Sequence, residues 1–104
     1  MEGFAALADP TRRRIVEVLA DGERSAGDLA RLFTLTQPAV SQHLRTLRDA
    51  GLVRVRHDAQ RRIYSLDARG FSQIDAWLSR YRAFWNTNLD ALERALTDED
   101  NEQR

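Results

Sequence analysis

The apolar positions change period twice along the chain, and the changes divide it into elements. Phe4, Leu7 and Ala8 predict a short first helix. Ile15, Val18 and Leu19 recur at helical spacing. Asp9 precedes them as a cap, Pro10 suits the first helical position and Gly22 suits the stop. In "SAGDLARLF", Leu29, Leu32 and Phe33 predict a third helix, opened by Ser25 and Asp28 as in a weak capping box. Gly27 lowers its intrinsic propensity, so this helix depends on packing. Residues 34–36 form a tight connection. A fourth helix then spans 37–50, with Thr36 at its start and Val40, Leu44 and Leu47 as its stripe. Two short helices joined by about three residues make a helix-turn-helix.

After Gly51 the period falls to two. Val53 and Val55 alternate with Arg54 and Arg56, and "RIYSL" alternates again with Tyr64 and Leu66 on one face. With the polar "HDAQR" between them, residues 53–66 predict a β-hairpin whose tip and outer face are rich in Arg. From Phe71 the helical period returns. Phe71, Ile74, Leu78, Tyr81, Trp85, Leu89, Leu92 and Leu96 recur at spacings of three and four, flanked by Trp77 and Phe84. This predicts one amphipathic helix of about 40 Å. The fold class is mostly α with a small β-hairpin, in the order of a winged helix-turn-helix with a long C-terminal helix. Residues 1–97 read as one domain, and 98–104 as an acidic, disordered tail.

The second face of helix 37–50 carries the candidate chemistry. Taking Val40 as zero and advancing 100° per residue, Leu44 and Leu47 fall within about 40° of it. Pro38, Gln42, Arg45 and Asp49 fall near the opposite side, with Ser41 on a flank and Gln37 at the start. Gln can pair bidentately with adenine and Arg with guanine, and Ser can reach a phosphate or base edge. A recognition helix meets the major groove mainly through its N-terminal residues. A solvated face of Ser, Gln and Arg is the plainer reading of the helix alone. The neighbouring helix and basic hairpin tilt it towards DNA.

Charge sharpens this picture. The net charge is zero, but residues 37–66 hold six Arg against two Asp, a local +4. The last eight residues hold four acids against one Arg. All 16 basic residues are Arg, which suits phosphate and guanine, although a GC-rich genome produces the same bias. Arg54, Arg56, Arg61 and Arg62 exceed what protection of a sheet edge needs, and are expected on the DNA backbone or in a minor groove. His43 is expected as a hydrogen-bonding residue beside DNA, and His57 at the hairpin tip. There are no cysteines, which excludes disulfides, thiolate metal sites and a Cys nucleophile. No nucleophile elbow or Gly-rich phosphate loop occurs, which argues against an enzyme. The lack of a signal-like start or a long apolar run suggests a cytoplasmic protein with no membrane partner.

The stretch from "ALADPTRRRI" through "TQPAVSQHLRTLRDAGLV" to "RRIYSL" strongly resembles the ArsR family of bacterial repressors, over about residues 4–96. The resemblance implies a homodimer that binds double-stranded operator DNA and represses transcription. It places Gln37, Pro38, Ser41 and Gln42 on major-groove positions and Arg61 and Arg62 on the wing. It also assigns the first and last helices to the dimer interface, which here means Phe4, Leu7, Phe71, Ile74, Leu78, Tyr81, Trp85, Leu89 and Leu92. The family's metal motifs are not matched. Ser25 and Gly27 stand where thiolates would, and the last helix has Asp75, Asp90 and Glu93 but no His. No metal and no cofactor is expected. A small-molecule inducer stays open, as does a ligand pocket lined by the aromatic run 77–85, although core or dimer contact is the commoner use of such a stripe.

Overall fold

The computed structural model describes residues 2–102, with side chains to residue 98. The order is α1 (Glu2–Leu7), α2 (Pro10–Ala20), β1 (Arg24–Ser25), α3 (Ala26–Phe33), α4 (Gln37–Asp49), β2 (Val53–Asp58), β3 (Arg61–Leu66) and α5 (Ala68–Glu102). The chain divides into two compact units, Met1–Ile74 and Asp75–Arg104, with the division inside α5.

The helix starts follow the polar residues before them. Asp9 Oδ1 accepts from the N–H groups of Thr11 and Arg12 at 2.8 and 3.1 Å, and Pro10 takes the first helical position. Ser25 Oγ accepts from Asp28 N–H at 3.0 Å to open α3, and Thr36 Oγ1 from Ala39 N–H at 3.2 Å to open α4. Each satisfies a backbone donor that helix geometry leaves orphaned. The turn between α3 and α4 passes through Thr34 at φ 53°, a left-handed conformation that a β-branched residue seldom takes.

In the first unit, Ile15 and Leu19 of α2, Leu29 of α3, Val40, Leu44 and Leu47 of α4, Leu52 just before β2, and Val53 and Tyr64 of the sheet form one buried cluster. Burying each large aliphatic contributes about 1.5–3 kcal/mol. Leu32 departs from the expected stripe and is 59% exposed, while Ala26, Leu29 and Ala30 are the buried residues of α3 and Phe33 packs against the core. Leu7, Phe71 and Ile74 are half-buried against this same core.

The wing is a three-stranded antiparallel sheet in the order β1-β3-β2, one strand more than the hairpin read from the sequence. β1 is two residues long, too short to show a period, and pairs Arg24 with Tyr64 and Ser25 with Ile63. The hairpin register pairs Val53 with Leu66, Val55 with Tyr64, His57 with Arg62 and Asp58 with Arg61. The turn is therefore Ala59 and Gln60 only, so His57, Arg61 and Arg62 are strand residues beside the tip. Ile63 is buried although the alternation points it to the outer face. β3 is the middle strand and packs against α2 and α3, which leaves little of it for solvent.

α5 begins at Ala68, three residues before its apolar stripe, and continues to Glu102. The segment 98–102, read as part of a disordered tail, is helical; residues 103–104 lie outside the described residues. Asp67 sets the start. Its Oδ1 accepts from Arg69 N–H at 3.0 Å, and the Arg69 guanidinium grips the same carboxylate, with Nη2 at 2.7 Å from Oδ2. In the second unit, the rings of Trp77 and Tyr81 meet at 4.9 Å and Arg82 pairs with Asp75 at 2.5 Å. Phe84, Leu89, Leu92 and Leu96 each expose more than half their surface.

Gly51 and Gly70 join α4, the sheet and the start of α5. Gly51 takes φ 75°, and Gly70 N–H donates to Gly51 C=O at 2.8 Å. A Cβ at Gly70 would lie 2.6 Å from Gly51 O and 2.8 Å from Leu52 Cδ2. Gly70→Ala must therefore displace backbone, and should destabilise by about 3 kcal/mol in urea unfolding. Wild-type stability in that variant would contradict the contact. Asp67 provides a pH-dependent counterpart. The Arg69 guanidinium, followed by the Arg69 N–H, lowers its carboxyl from 3.8 to about 2. A depressed carboxyl stabilises the fold above its unfolded value, and that stability is lost as pH falls through the folded value. Melting temperature should thus drop between about pH 4 and pH 2, with Asp9, Glu23 and Asp28, also lowered, sharing the window. Asp67→Asn should flatten part of that drop; an unchanged profile would remove Asp67 from the account.

Candidate nucleic-acid interface

α4 presents two faces with different fates. Val40, Leu44 and Leu47 are each 0% exposed. Gln37, Pro38, Gln42 and Arg45 are exposed, and Ser41 is half-buried on the flank. The helical wheel read from the sequence holds residue by residue, because three buried side chains leave the helix only one rotation.

The hairpin lies beside this face. Arg62 Nη2 donates to Ser41 Oγ at 3.2 Å, a direct bond between β3 and α4. Arg54, Arg56, Arg61 and Arg62 are all exposed, but they are differently engaged. Arg54 Nε donates to Ser65 Oγ at 3.3 Å. Arg56 is held by both oxygens of Glu23, at 3.0 and 3.3 Å, which ties β2 to the loop after α2. The bound guanidinium keeps the Glu23 carboxyl below its usual range, and the carboxylate raises Arg56 in turn. Arg56, expected on DNA, thus has an intrachain counter-ion that the sequence did not reveal, because Glu23 lies 33 positions away. Among the described residues Arg45, Arg61 and the cationic end of Arg48 have no such partner.

The residues of the wing turn, Gln37 and the start of α3 line a cleft of about 630 Å3. Arg31, Arg61 and Arg62 border it against one acid, Asp28, which forms an ion pair with Arg31. The surplus of positive charge, beside the N-terminus of α4, suits a phosphate group.

His43 sits where the helical wheel places it. Its ring is half-buried between the two faces of α4, and its Nδ1 is buried with no hydrogen-bond partner among the described residues. It also lies near enough to Asp9 to help hold that carboxyl down, after the larger effect of the Arg12 N–H. His57 is exposed on β2. No group of three or more His, Asp or Glu side chains that could hold a metal ion occurs among the described residues, and none of their helices is long and apolar enough to cross a membrane.

Residues 9–55 match the model of the arsR family of bacterial regulatory proteins. The HTH-type transcriptional regulator Rv2034 of Mycobacterium tuberculosis is 43% identical over 96 residues, covering 92% of this chain and 87% of that protein. This chain belongs to the ArsR family. The transcriptional repressor SdpR of Bacillus subtilis is 33% identical over 78 residues, covering 75% of this chain and 87% of that protein. The homodimeric winged helix-turn-helix DNA-binding domain from Mycobacterium bovis superposes with a TM-score of 0.65 at 26% identity, over 79% of this chain and 76% of that one. This ArsR-family protein is accordingly a DNA-binding transcriptional regulator and not an enzyme, and its winged helix-turn-helix is the fold of its relatives.

The donor set yields a prediction about metals. Soft ions want thiolates, and Zn2+ wants several converging imidazoles or thiolates. With no Cys and two separate His residues, titration with Zn2+, Cd2+ or arsenite should give no heat of binding and no change in melting temperature. Stoichiometric binding at low micromolar metal by folded protein would contradict this.

Proposed function

We propose that this chain is a homodimeric repressor that binds an inverted-repeat operator, with α4 in the major groove and the wing on the backbone or in a minor groove. The observation that carries the reading is the exposed set Gln37, Pro38, Gln42 and Arg45, opposite a wholly buried stripe. Ser41, His43, Arg54, Arg61 and Arg62 complete the proposed DNA-facing set. Arg56 acts through Glu23, holding the wing in place. The name of SdpR supports repression, and the homodimeric Mycobacterium bovis domain supports the dimer. On this reading residues 1–97 perform both tasks in the cytoplasm, and any inducer is a small molecule rather than a metal.

The dimer would cover the apolar face of α5. Phe84 is 72% exposed, and Tyr81, Leu89, Leu92 and Leu96 continue the patch. A continuous exposed stripe of this kind is unusual for a monomer. Phe4, Leu7, Phe71, Ile74, Leu78 and Trp85 belong to the same proposed interface. Leu7, Phe71 and Ile74 contribute only the part of their surface that the protomer's own core leaves open. A two-fold interface would place two recognition helices on half-sites about one DNA turn apart.

Two measurements test the reading. In titrations of a duplex selected from random sequence, Gln42→Ala should weaken specific binding by about 1–3 kcal/mol. Arg61→Ala should weaken all duplexes and lower the salt slope by about one. Lack of salt-dependent binding to any duplex would instead favour a winged helix used for protein contact. In analytical ultracentrifugation the wild type should sediment as a dimer. Tyr81→Glu or Trp85→Glu should yield monomer, since an unpaired charge in that seam costs several kcal/mol. A single-chain mass for the wild type at micromolar concentration would overturn the dimer.

A further inference from the structure

The sequence leaves Ser41 for a phosphate or base edge and Arg62 for the DNA backbone or a minor groove, with no link between the two. The geometry joins them. Arg62 Nη2 donates to Ser41 Oγ at 3.2 Å. Among the described residues this is the one side-chain hydrogen bond between the hairpin and α4; Arg54 bonds within the hairpin and Arg56 bonds Glu23. Arg62 is the second residue of β3, opposite His57 and next to the two-residue turn. The bond therefore acts near the tip of the wing, one residue beyond the pairing of Ile63 with Ser25.

We propose that Ser41 is a positioning residue, whose hydroxyl holds the Arg62 guanidinium in register with the groove-facing side of α4. The proposal rests on the DNA-binding reading and changes the role of one residue within it. Several chemical features favour it. A guanidinium has five N–H donors in a rigid fork, so one can be given to Ser41 while the others stay free for phosphate oxygens. Ser41 is half-buried on the flank of α4, off the Gln42–Arg45 side that faces outward. An Arg on a long flexible stem loses much rotamer freedom when it binds. Holding it beforehand reduces that loss, and couples the wing to the helix. Arg61, its neighbour, has no intrachain partner among the described residues and serves as the internal control.

The test has a part without DNA and a part with it. In the free protein, the Arg62 Nε–Hε resonance should shift on Ser41→Ala and stay in place on Ser41→Thr, which keeps the hydroxyl. An Arg62 resonance indifferent to Ser41→Ala would overturn the bridge, whatever the protein does to DNA. With DNA, the selected duplex and an unrelated duplex are titrated at several salt concentrations. Ser41→Ala should weaken both by the same factor, about threefold to tenfold, and lower the salt slope towards that of Arg62→Ala. The double variant should bind no more weakly than Arg62→Ala alone, whereas Ser41→Ala and Arg61→Ala should multiply. Loss confined to the selected duplex, with the slope unchanged, would return Ser41 to base reading and overturn the proposal. So would losses from Ser41→Ala and Arg62→Ala that multiply. If the wild type bound no duplex, the DNA reading itself would fall, with the resonance result still deciding whether the bridge exists.

Discussion

Val40, Leu44 and Leu47 lie one helical turn or so apart, and none retains exposed surface. A helix is a rigid screw, so three anchored positions determine where every other side chain of α4 points. Their burial is worth on the order of 5–9 kcal/mol, comparable to the whole stability of a small domain. Turning α4 to hide Gln42 and Arg45 would expose this stripe and bury unpaired polar groups at further cost. The polar surface offered to a partner is thus a by-product of the core, and it is stable for the same reason the domain is.

The wing depends on a second set of forces. Its ladder fixes the register, and charged side chains fix where it lies relative to the helices. Glu23 holds Arg56, and Ser41 holds Arg62. Both contacts lie at the surface and are individually weak, and the Arg56–Glu23 ion pair is screened by salt. Their value lies in orientation more than in stability. A flexible basic hairpin would attract DNA but would lose entropy on docking; a tethered one loses less. The arrangement separates arginines with an intrachain partner, Arg56 and Arg62, from Arg61, which has none among the described residues, a division that counting charges along residues 37–66 cannot make.

Much of this was legible in the sequence, for particular reasons. The cap and proline signals at Asp9, Pro10, Ser25 and Thr36 act within four residues, so they could be read locally. The stripe of α4 was readable because its three apolar residues fit a single face. β1 was not, since two residues show no period and Arg24–Ser25 becomes a strand only by pairing with Tyr64 and Ile63. Leu32 was assigned inward by spacing alone, although the inward face of α3 runs through Ala26, Leu29, Ala30 and Phe33 and leaves Leu32 in solvent. Thr34 and Ala59 both adopt positive φ without the Gly or Asn that usually announces it; at Ala59 this is why the hairpin turn looked longer than two residues. The bridges from Arg56 and Arg62 span 33 and 21 positions. No local pattern encodes such pairings, and they are what separates a positioning arginine from a free one.

The central claim is that the outward face of α4 enters a major groove, twice per operator. Dimethyl sulfate protection on the selected duplex measures this directly, because it methylates guanine N7, an atom of that groove. The account predicts two patches of protected guanines centred about one helical turn, or roughly 10 base pairs, apart on the inverted repeat. Tight, salt-dependent binding that left every guanine N7 as reactive as in free DNA would contradict it.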